Sequence, residues 1–205
     1  MREELCSCMA AIHRRGWCDG TGGNFSVRVP SCDPPLLLMA PSGVEKGTVQ
    51  ADALILVNGS GEVVQGSGRA SAEWPLHWMA VSTQGAGAVL HTHSQAGTLL
   101  SDHYLERGGL RLTGLEMLKG LNGRSSHQEQ LRIPVIANDQ NVPRLAELAQ
   151  RTIEPGCPGL LVAGHGLYAW GAGLSTARRH LEILEFLLEQ HWRRLLLQAL
   201  AVRPG

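Results

Sequence analysis

The feature that most constrains the fold of this chain is the segment Ala88-Val89-Leu90-His91-Thr92-His93-Ser94, an apolar run that ends in two histidines separated by one residue. Side chains alternate between the two faces of an extended strand, so both imidazoles are predicted to lie on one face, about 6–7 Å apart along the chain. Apolar residues on both faces indicate a buried strand. Two buried imidazoles need partners for their ring nitrogens, and the pattern leaves two open: a shared metal ion or neighbouring carbonyl groups.

The composition limits the class of protein. A chain of 205 residues without a composition break favours a single domain over residues 1–205. Lys and Arg (18) balance Asp and Glu (18), which argues against nucleic acid or an anionic membrane as a partner. The apolar run at 36–39 is too short for a membrane span, and the N-terminus lacks a signal-peptide core, so a cytoplasmic location is expected. Five cysteines without a CxxC pair argue against a disulfide framework.

Apolar periodicity predicts a mixture of helices and strands. The Asn58-Gly59-Ser60-Gly61 turn predicts a hairpin, so the sheet is expected to be at least partly antiparallel. The predicted helices cover about 2–15, 71–82, 94–100, 115–120, 142–151 and the segment from 175 onward. The predicted strands cover about 25–29, 36–40, 53–57, 62–65, 88–92, 110–113, 132–137 and 159–163.

Two glycine-containing loops are candidate oxyanion sites. Gly23 and Asn24 precede the first strand, and Ser42, Gly43 and Lys46 follow the second. Glycine turns can present main-chain N–H groups to an anion, and the two loops can converge on one phosphate. The alternative interpretation, ordinary tight turns, is the commoner one for such stretches.

The Ser71-Ala72-Glu73 segment is predicted to start a helix, with Ser71 as its N-cap and Pro75 in its first turn. A carboxylate at this position is favoured by the helix dipole whether or not it has a catalytic role.

A third histidine, His165, stands between two glycines after the predicted strand 159–163. Glycines on both sides allow the backbone to approach another group closely. Together with His91 and His93 it would give three nitrogen ligands and an open position, which describes a catalytic rather than a structural zinc site. His180 and His191, on the last helix, are interpreted as surface or packing residues.

Five motifs in order resemble the class II aldolase/adducin superfamily: Gly23-Asn24, Ser42-Gly43, Ser71-Ala72-Glu73, His91-Thr92-His93 and His165-Gly166. The segments at 115–120 and 164–171 most resemble its dehydratase branch, whose members remove water from 5-methylthioribulose 1-phosphate. Ala72 is a departure, since it replaces the second serine of the aldolase phosphate loop.

The resemblance implies an α/β fold, with a central, mainly antiparallel mixed sheet flanked by helices in three layers, in a single domain. It also implies a homotetramer with sites near subunit interfaces and one zinc ion per subunit held by His91, His93 and His165. Glu116 would be the general base and acid, and Glu73 would line the substrate pocket. The sugar-phosphate substrate would be held through its phosphate by Gly23, Asn24, Ser42, Gly43, Lys46 and Ser71.

Two other functions stay open. An aldolase would use the same zinc ion to cleave the C3–C4 bond of a ketose 1-phosphate such as fuculose or rhamnulose phosphate, with Glu73 as the proton carrier. A non-catalytic interaction domain, like the adducin head domains, would require lost metal ligands. All three histidines are retained in this chain, so catalysis is the favoured interpretation.

Overall fold

The computed structural model describes residues 1–30 and 32–201. Within them the five α-helices are α1 (Arg2–His13), α2 (Trp74–Gln84), α3 (Gln95–His103), α4 (Val142–Thr152) and α5 (Leu174–Ala201). The nine strands are β1 (Asn24–Arg28), β2 (Leu37–Met39), β3 (Ile55–Val57), β4 (Val63–Gln65), β5 (Ala88–Thr92), β6 (Gly109–Leu112), β7 (Leu131–Ile136), β8 (Gly159–Val162) and β9 (Gly166–Gly171). Short 3₁₀ turns occupy Ala51–Ala53, Leu105–Arg107 and Glu116–Gly120.

The strands form one mixed sheet in the order β4-β3-β2-β1-β5-β9-β8-β7-β6. Every neighbouring pair is antiparallel except β7 and β8. The predicted hairpin joins β3 to β4. The predicted α/β fold with a mainly antiparallel mixed sheet is therefore confirmed.

Helices cover both faces of the sheet and bury two hydrophobic clusters. Helices α2 and α4 pack on one face, where Val89 of β5 belongs to the cluster. Helices α1, α3 and α5 cover the other face, where Leu90 belongs to the cluster. This alternation confirms that β5 is buried on both sides. His91 and His93 share the parity of Val89 and therefore project toward the α2 side, as the strand period requires.

The start of α2 differs from the prediction. Its N-cap is Glu73 rather than Ser71, although Pro75 does lie in the first turn. The Ser71 hydroxyl instead accepts a hydrogen bond from the main-chain N–H of Glu73 at 3.2 Å. This local bond stabilises a turn ahead of the helix and delays the helix start by two residues.

Ser94 caps α3 as expected, since its hydroxyl accepts a hydrogen bond from the N–H of Gly97 at 3.0 Å. The cap turns the chain into a helix directly after His93, which follows the last residue of β5. Among the described residues, none of the helices combines the length and hydrophobicity needed to span a membrane.

Candidate metal centre

Three imidazole rings converge at the carboxyl end of β5. The Nε2 atom of His91 lies 2.8 Å from Nε2 of His93 and 3.3 Å from Nε2 of His165. All three candidate ligand atoms lie within 4.8 Å of one another. The structure thus brings together residues separated by more than seventy positions in sequence, as the predicted metal site requires.

Glycine at position 166 allows the third histidine to reach β5. A Cβ atom on Gly166 would lie 2.0 Å from the carbonyl oxygen of Thr92, and its φ of +151° is one that other residues rarely adopt. The β8–β9 connection therefore approaches the end of β5 more closely than any side chain would permit. This close approach explains the second glycine of the Gly-His-Gly segment.

The tautomer of His91 leaves its Nε2 lone pair free. Its Nδ1 lies 3.0 Å from the carbonyl oxygen of Leu167, and because a carbonyl only accepts hydrogen bonds, Nδ1 carries the proton. Burial lowers the pKa of His91 well below its usual value, so the ring is neutral. A hydrogen bond from the distal nitrogen to a carbonyl is the usual support for a metal-bound histidine.

The donor set fits a divalent metal ion. Zinc bound to imidazole nitrogens at about 2.0–2.1 Å in a tetrahedron would separate neighbouring nitrogens by roughly 3.3 Å. The observed separations of 2.8 and 3.3 Å around His91 Nε2 are close to that value. Neutral nitrogens this close repel one another unless a proton or a cation lies between them, which makes a metal ion the natural partner.

A carboxylate completes the centre. The Oε1 atom of Glu73 lies 2.8 Å from Nε2 of His165, and its Oε2 lies 3.5 Å from Nε2 of His91. Burial alone would raise the pKa of Glu73, but hydrogen bonds from His165 and Asn24 hold it below its usual range. Glu73 is therefore an anionic group beside the open ligand position.

A buried hydrogen-bond chain holds Glu73 in place. The Asn24 amide N–H donates to Oε2 of Glu73, while its oxygen accepts from Nε2 of His77. The Ser26 hydroxyl donates to Nδ1 of His77 at 2.7 Å. Burial lowers the pKa of His77 to about 4, so a neutral ring links the two strand residues. Both functional groups of the Asn24 side chain thus form hydrogen bonds within the protein, and its contact with a phosphate stays a prediction.

His77 and Ser26 were not among the predicted site residues. The available signals were their spacings: His77 follows Glu73 by four residues at a helix start, and Ser26 shares a strand face with Asn24. Neither spacing shows that helix α2, which carries His77, packs against strand β1, which carries Ser26.

Tyr168 is a further residue that the sequence analysis did not assign. Its ring stacks on His91, with centroids 3.9 Å apart and planes 8° apart, because the two residues are paired in the β5/β9 ladder. Its buried hydroxyl has no hydrogen-bond partner among the described residues. Burial raises its pKa well above the usual value, and the charge of Glu73 raises it further.

The two predicted glycine loops do meet, and a buried lysine joins them. Lys46 is only 3% exposed, and its Nζ donates to the carbonyl oxygens of Thr21 at 2.8 Å and Val44 at 2.9 Å. Burial lowers its pKa. A Cβ atom on Gly23, whose φ is +68°, would lie 2.6 Å from the carbonyl oxygen of His91. The first loop therefore packs directly against the histidine strand.

The remaining predicted phosphate residues are more open. Ser42 and Gly43 are exposed, and nothing lies within 4 Å of a Cβ atom placed on Gly43. Ser71 is half-buried beside the start of α2. Their contact with a phosphate remains a prediction.

Glu116 does not reach the three histidines of its own chain. Its side chain is 72% exposed, forms an ion pair with Lys119 at 2.6 Å and lies 3.7 Å from Nδ1 of His127. The Lys119 hydrogen bond and charge lower the pKa of the carboxyl. The catalytic role of Glu116 remains a prediction that one chain by itself does not explain.

The two histidines of the last helix, His180 and His191, lie outside the metal centre and have packing roles, as predicted. His180 is buried and its Nδ1 donates to the carbonyl oxygen of Trp170 at 2.7 Å. His191 lies 2.8 Å from the hydroxyl of Tyr104.

The three-layer fold and the three-histidine centre define a class of protein. Residues 3–192 match the class II aldolase and adducin N-terminal domain family, and the chain belongs to this family. The superfamily predicted from the five motifs is therefore confirmed.

The chain is similar to particular members whose activities are named. It is 43% identical over 208 residues to the methylthioribulose-1-phosphate dehydratase of Pectobacterium carotovorum subsp. carotovorum, covering 97% of this chain and 98% of the relative. It is 42% identical over 203 residues to the enzyme of the same name from Yersinia enterocolitica, covering 96% of this chain and 94% of the relative. The structure of L-fuculose-1-phosphate aldolase from Thermus thermophilus matches with a TM-score of 0.77 at 25% identity, over 97% of this chain and 99% of that one.

Proposed function

We propose that this chain is a cytoplasmic, zinc-dependent methylthioribulose-1-phosphate dehydratase of methionine salvage. The observation that carries the proposal is 43% identity over 97% of the chain to a relative of that name. The convergence of His91, His93 and His165 supports the requirement for a metal ion. The reaction would convert 5-methylthioribulose 1-phosphate to 5-methylthio-2,3-dioxopentyl phosphate and water.

The reaction requires loss of the C3 proton and departure of the C4 hydroxyl group. A zinc ion held by the three histidines would act as a Lewis acid that polarises the C2 carbonyl and acidifies the C3 proton. We assign the proton transfer to Glu116, which would accept the C3 proton and return it to the C4 hydroxyl as it leaves as water. The resulting enol then rearranges to the 2,3-diketone, so atoms and charge balance.

The position of Glu116 favours an active site shared between subunits. Because this carboxylate is exposed and, in the part of the chain that the structure describes, has only Lys119 and His127 within 4.0 Å as basic neighbours, we propose that it serves the histidines of a neighbouring subunit in a homotetramer. Metal ligands and proton carrier would then come from different chains.

The substrate phosphate would lie at the loops around Lys46. Two of the three Nζ protons of Lys46 are bonded to carbonyl groups of these loops, which leaves one donor without a partner among residues 1–30 and 32–201. Main-chain N–H groups at Gly23 and Gly43 and the hydroxyls of Ser42 and Ser71 would add neutral donors. Asn24 would support this site chiefly by fixing the position of Glu73.

One observation favours the aldolase alternative. Glu73 lies 2.8 Å from His165 in the metal centre, where an aldolase would use a carboxylate as proton carrier. The adducin-like alternative is disfavoured because all three ligands are present and converge.

An assay of purified protein tests these functions against one another. Zinc-loaded protein is incubated with methylthioribulose 1-phosphate, and diketone formation is followed with and without a chelator. We expect turnover that is lost on chelation and restored by zinc. A parallel assay with fuculose and rhamnulose 1-phosphates detects dihydroxyacetone phosphate. Turnover of only those substrates would replace the dehydratase with the aldolase.

A further inference from the structure

A polar cavity lies at the opposite end of the sheet from the three histidines. It has a volume of about 780 Å³ and is lined by four arginines, one glutamate and uncharged residues. The arginines come from four segments, namely the 3₁₀ turn before β6, strand β6, the connection before β7 and strand β7: Arg107, Arg111, Arg124 and Arg132. Their convergence depends on the tertiary fold.

The strand topology separates this cavity from the metal centre. The chain enters β8 from Glu154 and Cys157, which line the cavity, and leaves β8 toward His165 at the other end. Strand β6 is also the outermost strand, with three strands between it and β5. The arginine cavity is therefore a separate site.

Two of the four arginines have acidic partners. Arg132 donates from Nη1 to the carboxylate of Glu154 and from Nη2 to the carbonyl oxygen of Gly108 at 2.7 Å. Arg124 has Glu129 at 3.7 Å and donates to two main-chain carbonyl groups at 3.1 and 3.3 Å. These two charges are compensated within the protein.

The charges of the other two arginines, Arg107 and Arg111, are not compensated in this way. Arg107 lies over the Tyr104 ring, 5.3 Å from its centroid, and Arg111 donates to the Gln130 side chain at 2.7 Å. Neither has a carboxylate within 4.0 Å in the described part of the chain. Arg111 also stands directly opposite Arg132 in the β6/β7 ladder. Like charges in this position destabilise a sheet, so fold stability does not account for them.

Protection of a sheet edge is the competing explanation. Charged side chains on an edge strand such as β6 discourage pairing with another sheet, which accounts for Arg111. It does not account for Arg124, whose side chain is only 12% exposed and whose Nε is buried without a hydrogen-bond partner among the described residues. Edge protection therefore does not explain why a third guanidinium, that of Arg124, lies in the wall of this cavity.

We propose that this cavity binds a small phosphate-bearing anion that carries at least two negative charges. Guanidinium groups present paired N–H donors that match phosphate oxygens, and two uncompensated arginines match a dianion. The volume of about 780 Å³ lies in the usual range for small-molecule sites. In a chain with balanced total charge, this cavity concentrates positive charge at one place.

Calorimetric titration of zinc-loaded protein with inorganic pyrophosphate tests the proposal. We expect saturable binding that weakens at least tenfold in the Arg107→Gln/Arg111→Gln variant. The Arg144→Gln/Arg151→Gln variant is the matched control, since it removes two equally positive, likewise exposed side chains that lie on α4 and do not line this cavity. It should bind as the wild type does. The His93→Ala variant should also retain the affinity, because zinc is not the binding group.

Three outcomes would overturn the proposal: no saturable binding by the wild type at millimolar pyrophosphate, equal weakening in both arginine pairs, or loss of binding in His93→Ala. Circular dichroism checks that each variant is folded. If Arg107→Gln/Arg111→Gln does not fold, Arg107→Lys/Arg111→Lys replaces it, and its loss of paired donors should still weaken binding. A change in oligomer mass on removing the two arginines, together with no pyrophosphate binding, would make the cavity a subunit interface instead.

Discussion

At the residue scale, metal binding by the three histidines depends on which ring nitrogen of each has a lone pair available. His91 is fixed by its hydrogen bond to the Leu167 carbonyl, which leaves Nε2 facing the other two rings. His93 contributes the nitrogen that lies nearest to it, at 2.8 Å. Removal of this one ring leaves two ligands on a site that needs three.

We therefore expect His93→Ala to lose its bound zinc while its fold persists, because the His93 ring is not fully buried and its removal leaves the hydrophobic clusters intact. Elemental analysis after dialysis measures the metal, and circular dichroism measures the fold. His103→Ala, which removes an exposed ring from α3, is the control. Full zinc retention by His93→Ala would contradict the assigned site.

The two carboxylates can be separated by the same kind of substitution. A positioned acid or base contributes about 10²–10⁴-fold to a rate, so Glu116→Gln should lose turnover on that scale while zinc and substrate still bind. Glu73→Gln should lose less, since we assign it a position beside the metal ligands and not the proton transfer. Steady-state kinetics and metal content are measured for both. Normal turnover by Glu116→Gln with an inactive Glu73→Gln would favour the aldolase.

At the element scale, one buried carboxyl group joins α5 to the end of β5. Glu185 is 2% exposed, and its oxygens accept hydrogen bonds from Thr92 and Ser94, each at 2.5 Å. These residues flank His93, and Ser94 also caps α3. Burial raises the pKa of Glu185 from 4.5 to about 7 although the two hydroxyl groups oppose the shift.

This shift predicts that stability depends on pH. A carboxyl whose pKa is raised in the folded state adds stability below its unfolded value of 4.5, and this stability is lost as the pH rises through about 7. The loss would be about 3 kcal/mol at most. Glu185→Gln keeps neutral hydrogen-bonding groups but cannot ionise, so its free energy of unfolding should fall less between pH 5 and pH 8.

Urea unfolding at several pH values measures this difference. Glu147→Gln, which alters an exposed carboxylate of α4, is the control and should follow the wild type. Parallel curves for Glu185→Gln and the wild type would show that Glu185 is already ionised in the folded protein.

At the scale of the whole molecule, the separation of Glu116 from the histidines predicts complementation between inactive chains. Glu116→Gln and His93→Ala are unfolded together, mixed in equal amounts and refolded. If each site takes Glu116 from one subunit and histidines from its neighbour, about a quarter of the sites in mixed tetramers are intact.

Activity should therefore recover to roughly that fraction of the wild-type value. Size-exclusion chromatography with light scattering confirms the mass of the mixed assembly. Each variant refolded alone is the control. Mixed tetramers without recovered activity would place Glu116 and its histidines in the same chain.

The sequence by itself determined the features that depend on short stretches of backbone. The two-residue period of a strand places His91 and His93 on one face, and the hydroxyl of Ser94 caps the next helix whatever surrounds it. The β3–β4 hairpin was predictable for the same reason. Strand β9 was not among the predicted strands, and the helix predicted at 115–120 is a 3₁₀ turn. The predicted N-cap at Ser71 was wrong because a competing local bond to the N–H of Glu73 forms a turn there.

Only the tertiary structure decided which distant groups meet. Tyr168 stacks on His91 because β9 pairs with β5, and no local pattern states that pairing. Lys46 was predicted to offer its charge to a phosphate, which stays a prediction; its burial between two loops, where two of its donors bind carbonyl oxygens, was not predictable. The Asn24 amide is occupied by Glu73 and a buried histidine of α2. Such contacts depend on the packing of helices on the sheet, which is a property of the whole chain.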